Sequence, residues 1–270
     1  MSEKKRGWTL RSFCVRLGHL ALAVSLPPAT TEAELLSSVA ELPLEVDVVE
    51  WRIDLFAPKP PLFCQPLSPQ PLKKIVELAR ALRQTAGRPL LVTVRSRAEG
   101  GRWPDEDREG QAAILATLIK ARAAELIDIE AVLPVAEELI AAAHEAGMDV
   151  VLSRHILGAM PTFAELKVLF LELRQQGADL PKLAARAASP EETLRLLAAA
   201  AASGAAPLIA IAMGEAGRLS RVAAAGVGGA LGFAAHGVES APGQLDVHTT
   251  SGLTAALAAL FQPVDEGDWN

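Results

Sequence analysis

Short apolar runs rich in valine, isoleucine and leucine alternate along this chain with longer segments whose apolar positions recur at helical spacing. The runs at 19–26, 46–52, 89–95, 126–130, 149–153, 179–184, 208–213 and 229–233 predict eight strands. Segments 32–40, 73–85, 107–123, 134–146, 163–176, 190–202, 220–225 and 253–261 predict the helices between and after them. Start signals agree: Ser189 precedes Pro190, with Glu191 and Glu192 in the first turn, and Thr162 stands three positions before Glu165 in a capping-box pattern. Gly147, Gly177 and Gly204 each fall just past a helical run.

Strand and helix alternating this many times is the requirement of a single closed parallel (β/α)8 TIM barrel. An open doubly wound sheet would bring a glycine-rich phosphate loop after its first strand. Here Ser25-Leu26-Pro27-Pro28-Ala29 occupies that place, which suits no such loop. Ahead of the first barrel strand, Trp8 to Val15 alternates loosely and predicts a short hairpin that closes the barrel bottom. Residues 1–7 read as a disordered tail, 8–262 as the catalytic barrel domain and 263–270 as an acidic tail; the proline-rich stretch 58–71 reads as an extended, rigid connector.

Hydrophobic residues make up 50% of the chain and mean hydropathy is +0.25. Charges still interrupt every apolar run before the roughly 18 to 20 residues a bilayer span needs, so no membrane partner is expected. The run Leu17 to Leu26 follows Lys4, Lys5 and Arg6 like a secretory leader, but Arg16 and His19 break that pattern. A net charge of −6 argues against a nucleic-acid partner and leaves any anionic substrate to be met by local arginines. Two cysteines, Cys14 and Cys64, without metal-ligand spacing read as free thiols of a cytoplasmic protein. Alanine-rich helix faces leave a homodimer open.

In such a barrel, chemistry collects at the C-terminal ends of the strands. Lys182 lies among Leu180, Leu183 and Ala184, so its amine is either held neutral by burial, and hence nucleophilic, or is an ammonium that reaches solvent or pairs with a carboxylate. His155, placed just after the fifth barrel strand, is a candidate proton shuttle, and Glu99 a group to orient it. Glu50 and Arg52 alternate in phase, so both side chains point inward and can pair. Arg95 and Arg221 lack sequence-adjacent partners. With Arg52 they suggest a cavity for a carboxylate or polyol. Asp128 and Glu130 fit a structural arginine or a metal; with no second histidine at ligand spacing, no metal is expected.

Seven stretches then carry a resemblance: Glu-Trp-Arg-Ile-Asp (50–54), Val-Arg-Ser-Arg-Ala-Glu-Gly-Gly (94–101), Ile-Asp-Ile-Glu (127–130), Leu-Ser-Arg-His (152–155), Leu-Pro-Lys-Leu-Ala (180–184), Ile-Ala-Met-Gly-Glu-Ala-Gly-Arg-Leu-Ser-Arg (211–221) and Ser-Ala-Pro-Gly-Gln-Leu (240–245). In this order and spacing the chain resembles the type I 3-dehydroquinate dehydratases. The resemblance implies a cofactor-free, Schiff-base dehydration of a hydroxylated cyclic keto acid, 3-dehydroquinate, to 3-dehydroshikimate. It implies that Lys182 forms the imine, His155 moves the protons and Glu99 holds the ring. By the same resemblance Arg221 clamps the carboxylate, Glu50, Arg52, Arg95, Ser240 and Gln244 hold hydroxyls, and Met213 and Phe233 are apolar walls. The chain departs from the family pattern after the histidine, where Ile156-Leu157 replaces the usual Asp-Phe, and at Arg154, a position often Tyr or Asn. The competing readings are another lysine-imine lyase or aldolase on the same barrel, and a catalytically degenerate homologue serving as a scaffold. The latter would be expected to have lost the lysine or the histidine, and both are present.

Overall fold

The computed structural model describes residues 7–11, 13–16, 18–58, 69–237, 239 and 241–258. A two-stranded antiparallel hairpin, β1 (Gly7–Thr9) and β2 (Cys14–Arg16), comes first. Eight parallel strands follow: β3 (Ala21–Ser25), β4 (Val48–Arg52), β5 (Leu90–Thr93), β6 (Leu126–Glu130), β7 (Asp149–Ile156), β8 (Leu180–Arg186), β9 (Ile209–Met213) and β10 (Leu231–Ala234). They pair in chain order from β3 to β9, with β10 against β3. The ring closes where Leu208 bridges Gly229, just ahead of β9 and β10. The helices α1 (Glu32–Ala40), α2 (Pro69–Ala86), α3 (Arg108–Lys120), α4 (Ala136–Glu145), α5 (Phe163–Gln175), α6 (Pro190–Ser203), α7 (Ser220–Ala223) and α8 (Val247–Ala258) alternate with the strands. None among the described residues is long and apolar enough to cross a membrane.

Each strand buries both faces, which is why the sequence shows near-continuous apolar runs rather than strict alternation. Alternate residues nevertheless divide cleanly. Val48, Leu91, Leu126, Val151, Leu180 and Ile209 fill the barrel interior. Val49, Val92, Ile127, Leu152, Leu183 and Ala210 point outward under the helices, in a cluster with Leu78, Leu118, Leu139, Leu166 and Leu196. The hairpin does close the bottom, since Leu10 and Val15 join the interior cluster. Arg11 secures it from outside: its backbone N–H donates to Asp149 at 3.0 Å and its guanidinium reaches Asp179 at 2.9 Å.

Helix ends follow the sequence signals. Thr162 and Glu165 form a reciprocal capping box, Ser189 caps α6 ahead of Pro190, and Gly204 ends α6 in the left-handed conformation that a Cβ would strain. Four expectations need correction. Strand β7 runs to Ile156 rather than ending at Ser153, because pairing with β8 continues through His155–Ala184 and Ile156–Ala185 while Ile156 packs against the outer core. Strand β5 ends at Thr93, two residues before Arg95, because the backbone N–H of Arg95 leaves the sheet for the carboxylate of Asp54. Helix α2 begins at Pro69, inside the stretch read as an extended connector; proline is tolerated in a first turn, where its missing N–H costs nothing. Helix α8 begins at Val247, because the Thr250 and Thr254 hydroxyls turn back onto the carbonyls of Asp246 and Thr250 and so are buried at no loss. The rest of the connector, 59–68, and the readings of 1–6 and 259–270 as tail and helix end lie outside the described residues.

Candidate active site

The strand ends surround a cavity of about 540 Å³ at the C-terminal mouth of the barrel. Every described candidate lines it: Lys182, His155, Glu99, Glu50, Arg52, Arg95, Arg221, Gln244, Met213 and Phe233. Ser240 lies outside the described residues.

Lys182 is the third residue of β8 and inward in phase with Leu180 and Ala184. Its ammonium is buried, with 4% of the residue exposed, and is paired rather than left to be neutralised by hydrocarbon. Nζ donates to Asp128 Oδ2 at 2.9 Å and stands 4.5 Å from the centroid of the Phe233 ring. Of the readings the sequence allowed, the carboxylate pair is therefore the one present. Asp128 lies on β6, two strands from the lysine, and the sequence put it beside His155 rather than against Lys182; the signal for the pairing is strand phase, which points Asp128 inward like Leu126 and Glu130.

Arg95 lies in the middle of a buried network. Its guanidinium donates to Asp128 at 2.7 Å, Glu99 at 3.0 Å, Ser153 at 3.0 Å and Glu130 at 3.2 Å. Glu130 also accepts from the Ser96 N–H and from Arg108, both at 2.8 Å. Burial alone would lower the Arg95 pKa, but Asp128, Glu99 and Glu130 outweigh it and hold the guanidinium charged well beyond its usual range. Burial likewise pushes Asp128 up, yet Arg95, Lys182 and the Ser153 hydroxyl overcome that and keep it a carboxylate far below the usual range. Arg95 lines the cavity with its charge already met by protein carboxylates. Asp128 and Glu130 serve the structural arginine that the sequence allowed for.

His155 sits near the top of β7 with Nδ1 2.8 Å from Glu99 Oε2. Burial, then Arg95 and Lys182, hold its pKa well below the usual value, so the imidazole is neutral. With Nδ1–H donating to Glu99, the lone pair is on Nε2. Glu99 is pushed up to about 7, chiefly by burial and against the pull of Arg95.

Glu50 and Arg52 do share the inward face of β4, but they do not pair. Glu50 accepts from the Thr93 hydroxyl at 2.8 Å and from Ser25, two strand-end hydroxyls that sequence reasoning passed over. Arg52 makes a bidentate pair with Asp54 at 2.8 and 2.7 Å, and Asp54 is pinned further by the backbone N–H groups of Arg95 and Arg102. A shared 3₁₀ turn after β4 brings Asp54 back over the strand end, which a strand pattern alone does not reveal.

Across the mouth, the buried Arg221 at the start of α7 donates to the Pro242 carbonyl at 3.2 Å, and its Nε has no partner among the described residues. Burial lowers its pKa to about 10, with Glu239 opposing. The Pro242 carbonyl also takes the Gly214 N–H at 3.1 Å, and a Cβ at Gly243 would collide with the Gly214 carbonyl, so this close approach of two loops needs glycine. Of the unusual residues after the histidine, Ile156 turns to the outer core, whereas Leu157 lines the cavity and faces Gly100.

A buried lysine against a carboxylate, with a neutral imidazole and a guanidinium whose Nε is unsatisfied lining the same cavity, can form an imine with a keto acid and shift protons next to it. Comparison with known proteins agrees with the seven-stretch resemblance. The family model described as Type I 3-dehydroquinase matches residues 22–260. A 3-dehydroquinate dehydratase of Klebsiella pneumoniae subsp. pneumoniae is 31% identical over 245 residues, 88% of this chain and 94% of that protein. One from Lactiplantibacillus plantarum is 33% identical over 83% of this chain and 87% of its own length. Among solved structures, a Type I 3-dehydroquinate dehydratase from Clostridium difficile with covalently modified comenic acid superposes with a TM-score of 0.83 at 25% identity, covering 95% of this chain and 99% of that one.

Proposed function

The chain belongs to the type I 3-dehydroquinase family and catalyses dehydration of 3-dehydroquinate to 3-dehydroshikimate; from that premise we propose that Lys182 does so through an imine with the substrate ketone. The observation that carries this reading is the buried Lys182 amine, lining one cavity with the His155–Glu99 pair.

The amine first gives up a proton, for which neutral His155 is the base at hand. It adds to the C3 carbonyl, and His155 returns that proton to the carbinolamine hydroxyl, which leaves as water; a protonated imine remains and the imidazole is neutral again. That cation occupies the place of the former ammonium, so Asp128 and the Phe233 ring that faced one now stabilise the other. The iminium withdraws electrons from the adjacent carbon, and Nε2 of His155 takes the C2 proton to give an enamine. As the C1–O bond breaks, His155 returns a proton to the departing hydroxide. Water then hydrolyses the conjugated iminium and frees Lys182. The net change is loss of one water from the substrate, with no cofactor called upon.

Arg221 is the carboxylate clamp in this scheme, since its buried Nε is unpaired and it faces the cavity. Glu50, Arg52, Gln244 and Ser240 are assigned to the hydroxyls, with Met213 as a wall. Arg95 acts by holding Asp128 and Glu99 in place rather than by gripping substrate. The test is to trap the imine: with 3-dehydroquinate and borohydride, mass spectrometry should find a reduced adduct on Lys182. A label that persists in Lys182→Ala would sink the assignment. Turnover without any adduct in the native enzyme would also sink it.

A further inference from the structure

We propose that Arg186 is a second anion-binding residue of this cavity, so that with Arg221 it holds ligands carrying two anionic groups. The inference rests on the active-site reading above and adds to it a ligand class. Arg186 ends β8 and is the next inward residue after Lys182 and Ala184; it lines the cavity with them. Unlike Arg52 and Arg95, whose guanidiniums are met by protein carboxylates, Arg186 has no ion-pair or hydrogen-bond partner for its side chain among the described residues.

Backbone pairing brings it to the same stretch of rim as Arg221. Arg186 is in register with Met213, and the next residue, Ala187, donates to the Met213 carbonyl at 3.0 Å. Gly214 follows, and its N–H meets the Pro242 carbonyl that Arg221 also binds. Two guanidiniums without a paired carboxylate therefore flank one segment of the cavity wall, one at β8 and one at α7. A substrate with a single carboxylate occupies Arg221 and leaves the Arg186 fork for a second anion, such as a further carboxylate.

Calorimetric titration with cyclohexane-1,3-dicarboxylate and with cyclohexanecarboxylate tests this without requiring turnover. The native protein should bind the dicarboxylate about tenfold more tightly, as one additional charge-assisted contact allows. Arg186→Gln should reduce that preference to within about twofold, and Arg186→Lys should retain part of it. Arg186 is exposed, so a melting temperature within a few degrees of native would show that Arg186→Gln is folded. Equal affinities in the native protein, or a preference that survives Arg186→Gln, overturn the proposal. Native protein that prefers the dicarboxylate but does not dehydrate 3-dehydroquinate would instead overturn the assigned reaction and leave the Arg186 site standing.

Discussion

The two sides of the barrel mouth are built on opposite electrostatic plans. Along β5 to β8, Arg95, Asp128, Glu99, Glu130, Ser153, His155 and Lys182 satisfy one another in a buried network, with most partners within about the length of a charge-assisted hydrogen bond. Along β8 to α7, Arg186 and Arg221 face the cavity with guanidinium capacity unspent on protein carboxylates. The first side holds reacting groups at fixed positions before substrate arrives; the second leaves donors free for the ligand to complete. Orientation requires satisfied neighbours, while recognition requires unsatisfied ones, and the barrel keeps the two apart.

The sharpest way to break this contrast is to open the satisfied side. Asp128→Asn leaves Lys182 and Arg95 short of a buried negative charge and should cost about 3 to 5 kcal/mol of unfolding free energy, read by urea titration. The Asp128 pKa is depressed on folding, so its contribution is present above the unfolded carboxylate value near pH 4 and is lost as pH falls further towards the folded value. The stability difference between native and variant should therefore shrink in acid. A difference that grows in acid would contradict the pairing.

His155→Ala removes the proposed proton shuttle while Glu99 keeps its contact with Arg95. It should lower kcat by about a hundredfold to ten-thousandfold, with stability little changed. Losing stability without losing rate would move His155 from the chemistry to the frame. On the open side, Arg221→Gln should raise KM about tenfold or more while kcat moves far less, because it removes a contact made to substrate and transition state alike. A fall in kcat with KM constant would place Arg221 in the chemical step.

The smallest effect expected is on pH. Glu99 is pushed up to about 7, so below that pH it becomes protonated and no longer draws the Nδ1–H of His155 as a carboxylate. The kcat profile should fall on the acid side with a limb near pH 7, and that limb should be absent in Glu99→Gln. Retention of the limb would assign it to another group.

The strand order was legible because parallel barrel strands impose both apolar density and period-two phase, and that phase put Glu50 and Arg52 on one inward face; Met213 and Phe233 were reached only through the family resemblance. The true end of β7 was not legible, since Arg154 and His155 are polar and only pairing with β8 keeps them extended. Nor was the start of α8, where threonine hydroxyls hide their polarity by bonding to the preceding turn.

The chain by itself determined the barrel, the inward set of residues and the chemical kinds available at its mouth, because periodicity and residue type are local properties. Which charges cancel was decided only by the closed ring. Arg52 with Asp54 is nearly local, but Lys182 with Asp128 and Arg95 with Glu130 join residues from different strands, and a Coulomb interaction depends on distance in space rather than separation along the chain. That is why the lysine carries a partner the sequence only allowed for, and why, of four arginines lining the cavity, Arg52 and Arg95 are paired with protein carboxylates while Arg186 and Arg221 are not.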